Sequence, residues 1–346
     1  MKRIFTGKMK SRLAAILALG VAVAAGLGYG TANAASPTLQ TIRVQYYPGV
    51  AFQQTLQVAK DKDFFARANV DVKLINTNSG PEGLAAVISG SLDLASTNID
   101  TFLAAAARGA GVQAVAATTG PYFSVLLQSD LKRNHQGEDW IGVMKDLVGK
   151  RLGVTARGAG TETFYRALFS SAGLDPASAT YVAIGQGATA LSAFQAKRVD
   201  SIMAYQPLTE RLLASGAVMG IDITNGKGPK EIAGLGATVV YFGMKKNLDS
   251  KREAIKSFVK GLNDAADWSK KPANLDDLAA VMKPHIPMNK VDNPEAMLKK
   301  MIERGLNATT LTAVSTQDLT RWVLLLDKHA NMDLPKEAAF VKPLVW

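Results

Sequence analysis

Hydrophobic and polar positions alternate through Val70, Val72 and Leu74 with the two-residue period of a half-buried strand. A longer phrase follows, in which an apolar helical run, a short turn and a second apolar run end in polar residues (84–97, Leu-Ala-Ala-Val-Ile-Ser-Gly-Ser-Leu-Asp-Leu-Ala-Ser-Thr). It is echoed 107 residues later at 191–204: Leu84 matches Leu191, Ala86 matches Ala193, Leu92 matches Val199 and Asp93 matches Asp200. Each copy predicts a helix end, a turn and a buried strand that opens into a polar loop. The echo extends outwards. The segments 42–47 and 151–156 predict first strands, and helices are expected to stop near Asn69 and Gly173, residues that tolerate the left-handed conformation. Strands then follow at 70–75 and 180–184. The order strand, helix, strand, helix, strand favours parallel pairing with right-handed crossovers. A chain that spells one α/β unit twice predicts two similar lobes, and a cleft between lobes is a favoured place for a small ligand.

The remaining pattern completes an α/β fold of parallel-rich mixed sheets flanked by helices. A strand at 112–120 ends in Thr118 and Thr119, and Ser124–Gln128 reads as a strand crossing to a second lobe whose core runs from about Leu147 to Met219. The Gly-rich segment 224–236 predicts a loop, and 238–244 a strand returning to the first lobe. The expected division is lobe one at 38–123 and 238–346, and lobe two at 124–237. The last hundred residues predict helices backing lobe one. Ser250 with Glu253 resembles a capping box, Asn293-Pro294 a capped start, and Ser315 with Asp318 a start for a helix whose Leu319, Trp322, Val323 and Leu326 share a face.

The N-terminus changes the picture of where this chain works. Lys2, Arg3, Lys8, Lys10 and Arg12 precede an apolar core at 13–30 and then Ala32-Asn33-Ala34, the small-x-small pattern of a cleaved signal peptide. Residues 1–34 are therefore expected to be removed on export, the alternative being an uncleaved anchor. The chain has no cysteine, which excludes disulfides, thiol catalysis and a lipid-modified N-terminal cysteine. A freely diffusing periplasmic monomer is the expectation. Of the net charge of +11, the leader carries five basic residues and no acid, so 35 − 29 leaves +6 beyond it. A mild positive balance suits an anionic ligand or simple solubility. No basic run is interleaved with aromatics, so nucleic acid is not an expected partner.

Candidate chemistry collects where strands open into helices. Ala156 to Thr163 follows a strand and starts a helix, so backbone N–H groups and the helix dipole favour a negative charge there. Thr161 and Thr163 add hydroxyls, Gly160 allows close approach, and Arg157 could fork onto a carboxylate, sulfonate or phosphate. Gly158-Ala159-Gly160 lacks the last glycine of a dinucleotide fingerprint, so no nicotinamide or other cofactor is expected. Ser79 and Gly80, then Ser96, Thr97 and Asn98, and Gln186 in the second copy, repeat the grammar at strand ends. Tyr46, Tyr47, Tyr122 and Tyr205 fall at strand ends and supply candidate walls. Asp93 and Asp200 are expected to fix turns. His135, His285 and His329 stand outside these loops, and no metal-ligand spacing appears.

These residues resemble ABC-transporter substrate-binding proteins of the nitrate, sulfonate, taurine and thiamine-precursor type. The likeness rests on Ser89-Gly90-Ser91-Leu92-Asp93-Leu94-Ala95, on Gly149-Lys150-Arg151-Leu152-Gly153-Val154, and on Arg198-Val199-Asp200 leading to Tyr205-Gln206-Pro207, over about 40–270. The resemblance implies a two-lobed periplasmic binding protein of the type II, Venus-flytrap kind. It implies capture of a small solute and delivery to a membrane permease with a cytoplasmic ATPase. By position it implies ligand contacts at Ser96, Thr97, Thr119, Gly160, Thr161 and Tyr205. Gln206 stands where the family often has an acid, which suits an anion or removes a contact to a cationic ring. Two ligand chemistries stay open, a small organic anion and a pyrimidine-like solute. A lyase on the same fold and a sensor partner are the rival classes. The expectation is binding without catalysis.

Overall fold

The computed structural model describes residues 39–118, 120–137, 139–286, 293–309, 311–330 and 332–346. The leader expectation and Thr119 lie outside the described residues. In chain order the elements are β1 (Gln40–Tyr46), α1 (Gln54–Asp61), α2 (Phe64–Arg67), β2 (Val70–Asn76), α3 (Gly80–Ser89), β3 (Ala95–Asn98), α4 (Ile99–Ala107), β4 (Val112–Thr118) and β5 (Ser124–Leu127). Then come α5 (Trp140–Asp146), β6 (Arg151–Val154), α6 (Gly160–Ser171), β7 (Thr180–Ala183), α7 (Gly187–Gln195), β8 (Ser201–Ala204), α8 (Leu208–Ala214), β9 (Val218–Ile221) and α9 (Lys230–Ala233). The chain closes with β10 (Val239–Met244), α10 (Lys245–Ser250), α11 (Arg252–Ser269), α12 (Leu275–Met282), α13 (Pro294–Thr309), β11 (Leu311–Thr312), α14 (Thr316–Ala330) and α15 (Ala338–Val341).

The sheets are mixed, as the pattern predicts. β1 pairs in parallel with β2, and a single parallel bridge from Val44 to Leu94 ties that pair to β3. A second sheet runs β11-β4-β10-β3, in which β10 is antiparallel to both neighbours. A third runs β7-β6-β8-β5-β9, where β6 is parallel to β7 and β8 while β5 is antiparallel to β8 and β9. Asn69 and Gly173 adopt φ of 64° and 71°, the left-handed stops expected of them.

The repeated aspartates have a structural job. Asp93 accepts from the Arg43 N–H at 2.8 Å and from its guanidinium at 3.2 and 3.1 Å. Asp200 accepts from Arg151 in the same pattern, at 2.8, 3.1 and 2.7 Å. In each copy the acid that precedes the inner strand clamps the arginine of the first strand. Burial alone would raise the Asp93 carboxyl, but hydrogen bonds from Arg43 and Lys251 outweigh it and hold it below its ordinary range. Asp200 is held low chiefly by the Arg151 side chain.

The C-terminal helices depart from the sequence pattern in two places. Ser250 does not cap α11: its Oγ donates to the Asn247 carbonyl in the last turn of α10, and Lys251 occupies the cap position. The short α10 and the long α11 abut at Lys251, so the hydroxyl is spent on the helix behind it. Nor do all these helices back the first two sheets. α11 packs on α1, α2 and the first strands, whereas α14 lies on α6 and also touches α4. Its apolar stripe, with Trp322 at its centre, meets Phe164 of α6 at 5.6 Å, and Trp322 Nε1 donates to the Gly236 carbonyl at 2.7 Å. The Ser315 cap is as expected, with its Oγ accepting from the Asp318 N–H at 3.0 Å. One core cluster therefore runs from Phe102 and Ala117 through Phe123 and Phe164 to Trp322.

Candidate functional site

Four helices begin at one cavity. Ser79 and Gly80 at the start of α3, Asn98 before α4, Gly160 and Thr161 of α6, and Gln186 before α7 all line it, with Tyr47, Phe52 and Tyr205 as walls. Its volume is ≈ 40 Å³, room for about three waters at the ~10–15 Å³ each requires. The cap residues Asn98, Ala159 and Gln186 place no side-chain hydrogen bond on the helices they precede. Of these, α6 brings first-turn N–H groups to the cavity without a side-chain cap, at Gly160 and Thr161. In α4 the Ile99 N–H donates to the Thr238 carbonyl at 3.0 Å and Asp100 sits in the first turn, and the first residues of α7, Gly187 and Ala188, line a neighbouring cavity. None of the lining residues is Asp, Glu, Lys, Arg or His. Thr101 Oγ1, also in the lining, is buried without a hydrogen-bond partner among the described residues.

A polar frame holds these groups. Gln45 is fully buried, its Nε2 donating to Tyr47 Oη and Thr77 Oγ1 at 2.7 Å each, while its Oε1 accepts from the Ser96 N–H at 2.9 Å. Tyr122 donates to Asn98 Oδ1 at 2.6 Å and Tyr205 to Gln186 Oε1 at 2.8 Å. Burial drives the hydroxyls of Tyr47, Tyr122 and Tyr205 far above their ordinary pKa, so all three stay protonated donors. Phe52 stacks on Tyr122 with centroids 4.8 Å apart and meets Tyr205 edge-on at 5.4 Å.

The two sides of the cavity touch. A Cβ added at Gly160 would fall 1.7 Å from Asn98 Nδ2, so only glycine admits this approach. Thr163 of α6 donates to Asp100 of α4 at 2.6 Å, and the Ala51 N–H donates to the Gln206 carbonyl at 3.0 Å. Burial pushes the Asp100 carboxyl up to about 6, against the Thr163 hydrogen bond that favours its charge.

Of the residues singled out from the sequence, Tyr47, Ser79, Gly80, Ser96, Thr97, Asn98, Tyr122, Gly160, Thr161, Gln186 and Tyr205 are brought together here. Three lie elsewhere. Arg157 is turned to solvent, 60% exposed, with its guanidinium on Glu162 at 2.8 and 3.1 Å. Glu162 also accepts from the Gly158 N–H and from Arg166, so the loop neutralises its own charges and offers no fork to the cavity. Gln206 sends its amide to Glu210 at 3.1 Å instead. Tyr46 ends β1 facing the cluster around Ile42 and Phe258, since neighbours along an extended chain face opposite ways. Sequence reasoning missed Phe52, Asn78, Thr101, Phe123, Thr155, Ala159 and Val239. The Asn78 signal was present, because it adjoins Ser79; Phe52 and Val239 had none, since they arrive from segments with no strand-end grammar.

A model of a protein family described as NMT1/THI5 like matches residues 54–274, more than half of the chain. The chain belongs to the NMT1/THI5-like family. Among solved structures, a protein of Bordetella bronchiseptica RB50 is similar at 22% identity and a TM-score of 0.71, covering 88% of this chain and 94% of that one. The alkanesulfonate-binding protein SsuA of Xanthomonas axonopodis pv. citri, bound to MOPS, is similar at 19% identity and a TM-score of 0.65, covering 88% and 98%. The periplasmic nitrate-binding protein NrtA of Synechocystis PCC 6803 is similar at 12% identity and a TM-score of 0.66, covering 88% and 85%. No curated protein sequence matches. The shared fold is the bilobal periplasmic-binding-protein architecture. Among the described residues no group of three His, Cys, Asp or Glu could hold a metal ion, and no helix is long and apolar enough to cross a membrane.

Proposed function

We propose that this NMT1/THI5-like protein is the periplasmic solute-binding component of an ABC importer, and that its cavity takes the anionic head of a small solute. The reading extends to export through a leader cleaved after Ala34, a permease with a cytoplasmic ATPase as partner, and two lobes divided at 124–237. The observation that carries it is the meeting of the uncapped α6 start with neutral hydroxyls and the Asn98 and Gln186 amides on a cavity with no charged side chain. Helix N-termini and neutral hydroxyls stabilise an anion without the ion pair that would hold it too firmly to release. A sulfonate, as in a taurine-like compound, or nitrate matches these donors. The names of the alkanesulfonate- and nitrate-binding neighbours point the same way. The protonated tyrosines offer donors rather than a base, which supports binding over catalysis. Contacts such as Thr163 to Asp100 would form as the lobes close on the solute.

Trp322 provides the assay. Tyr205, Phe123, Phe164 and Trp322 form an aromatic series with centroids 6.3, 4.7 and 5.6 Å apart, leading from the cavity to the tryptophan. Methanesulfonate, nitrate, taurine and a pyrimidine are titrated by calorimetry and by tryptophan emission. The expected result is saturable heat with an anion. If no anion binds and the pyrimidine does, the cavity reads a neutral ring and this proposal is wrong.

A further inference from the structure

Tyr205 lines two cavities. Beyond the charge-free one, it also lines a cavity of ≈ 450 Å³ built from the loop after β1 (Pro48, Val50), the start of α8 (Pro207, Leu208), Arg211 and His285. The two differ in size and in charge. The first has space for a nitrate- or sulfonate-sized head and no tail. The second is large enough for several carbon atoms and its walls are apolar.

It also carries a cation, Arg211, that has no carboxylate partner among the described residues. His285 Nε2 sits 2.5 Å from Asp61 Oδ2, so the imidazole already has a carboxyl partner. The neighbouring Glu210 receives the Gln206 amide. Arg211 is only partly exposed, and its guanidinium makes no ion pair among the described residues. A half-buried guanidinium facing an apolar chamber is matched by a planar or tetrahedral oxyanion, which it can hold through two parallel hydrogen bonds.

We propose that the ligand is a two-ended acid: one anionic head in the neutral cavity, a short apolar spacer beside Tyr205, and a second acidic group held by Arg211. This rests on the anion-binding reading above and narrows it. A terminal ammonium, as in a taurine-like solute, would meet Arg211 as a like charge and bind less well.

The experiment compares propane-1-sulfonate, its amino-terminated analogue, and sulfoacetate, 3-sulfopropionate and 4-sulfobutyrate by calorimetry, in wild type and in Arg211→Gln and Arg211→Lys. At least one sulfocarboxylate should bind about tenfold or more tightly than propanesulfonate, a difference of ~1.4 kcal/mol. The aminosulfonate should bind most weakly. In Arg211→Gln the ratio of sulfocarboxylate to propanesulfonate affinity should fall to about one, and Arg211→Lys should keep part of it. If propanesulfonate binds but no sulfocarboxylate is favoured, or if the ratio survives Arg211→Gln, the two-ended ligand is refuted while the anion reading stands. If neither methanesulfonate nor any of these compounds binds, both fail.

Discussion

Replacing Gly160 by alanine tests whether the cavity must close to the separation seen here. The new Cβ would lie 1.7 Å from Asn98 Nδ2, 2.5 Å from its Cγ and 2.7 Å from its Cβ. Ordinary contacts sit near 3.5 Å, so the first gap is short by roughly 1.8 Å and the last by roughly 0.8 Å. Rotating the Asn98 amide relieves the first two contacts at the cost of the Tyr122 hydrogen bond. It leaves the third, because that atom is fixed to the backbone. The starts of α4 and α6 must then part by on the order of 1 Å, which stretches the 2.6 Å bond from Thr163 to Asp100. Overpacking of this kind costs about 1–3 kcal/mol, roughly 5- to 150-fold in affinity if it acts on the closed state alone. Alanine also favours a helix over glycine, so the ligand-free protein should lose little stability. Calorimetry should show weaker anion binding, and the rise in Tm on adding ligand should shrink more than the ligand-free Tm moves. Adding Asn98→Ala should recover part of the loss. Wild-type affinity in Gly160→Ala would refute the reasoning, because the contact would then be irrelevant to the bound state.

Three further outcomes follow from the buried polar groups. The Asp100 pKa is raised from 3.8 to about 6, so stability present below about pH 4 is lost as pH rises through 6, by up to about 3 kcal/mol. Urea unfolding of Asp100→Asn should therefore show a gain over wild type that grows between pH 4 and 7, and a flat difference would contradict the burial argument. Asp93 and Asp200 are shifted the other way, so their contribution is present above the unfolded carboxylate pKa and disappears as pH falls. At pH 7 Asp93→Asn should cost about 2 kcal/mol and Asp200→Asn about half that, because the Asp200 side chain is 23% exposed against 4% for Asp93. Equal losses in thermal unfolding would show that burial does not set the difference. Trp322→Phe keeps the aromatic packing but orphans the Gly236 carbonyl, and should cost about 1–3 kcal/mol by denaturant titration.

What the sequence determined is what local rules can reach. The two-residue period at Val70, Val72 and Leu74, the left-handed stops at Asn69 and Gly173, and the Ser315 cap each depend on a few neighbours, and each is found as read. The internal echo located the strand-end loops, and eleven of the chosen residues meet at one cavity for that reason. The pairing of Asp93 with Arg43 and of Asp200 with Arg151 was present in both copies yet illegible, because parallel strands bring together residues 50 and 49 positions apart. Only the tertiary structure decided where the charges go. Arg157 reads as an anion fork until Glu162 and the Gly158 N–H fold its loop on itself, five and four residues across a turn. Only packing placed α14 on α6, since an apolar stripe shows that a helix is covered and not by what. The neutrality of the cavity belongs to the same level: it is a property of surfaces that converge from distant parts of the chain, and no window along the sequence contains it.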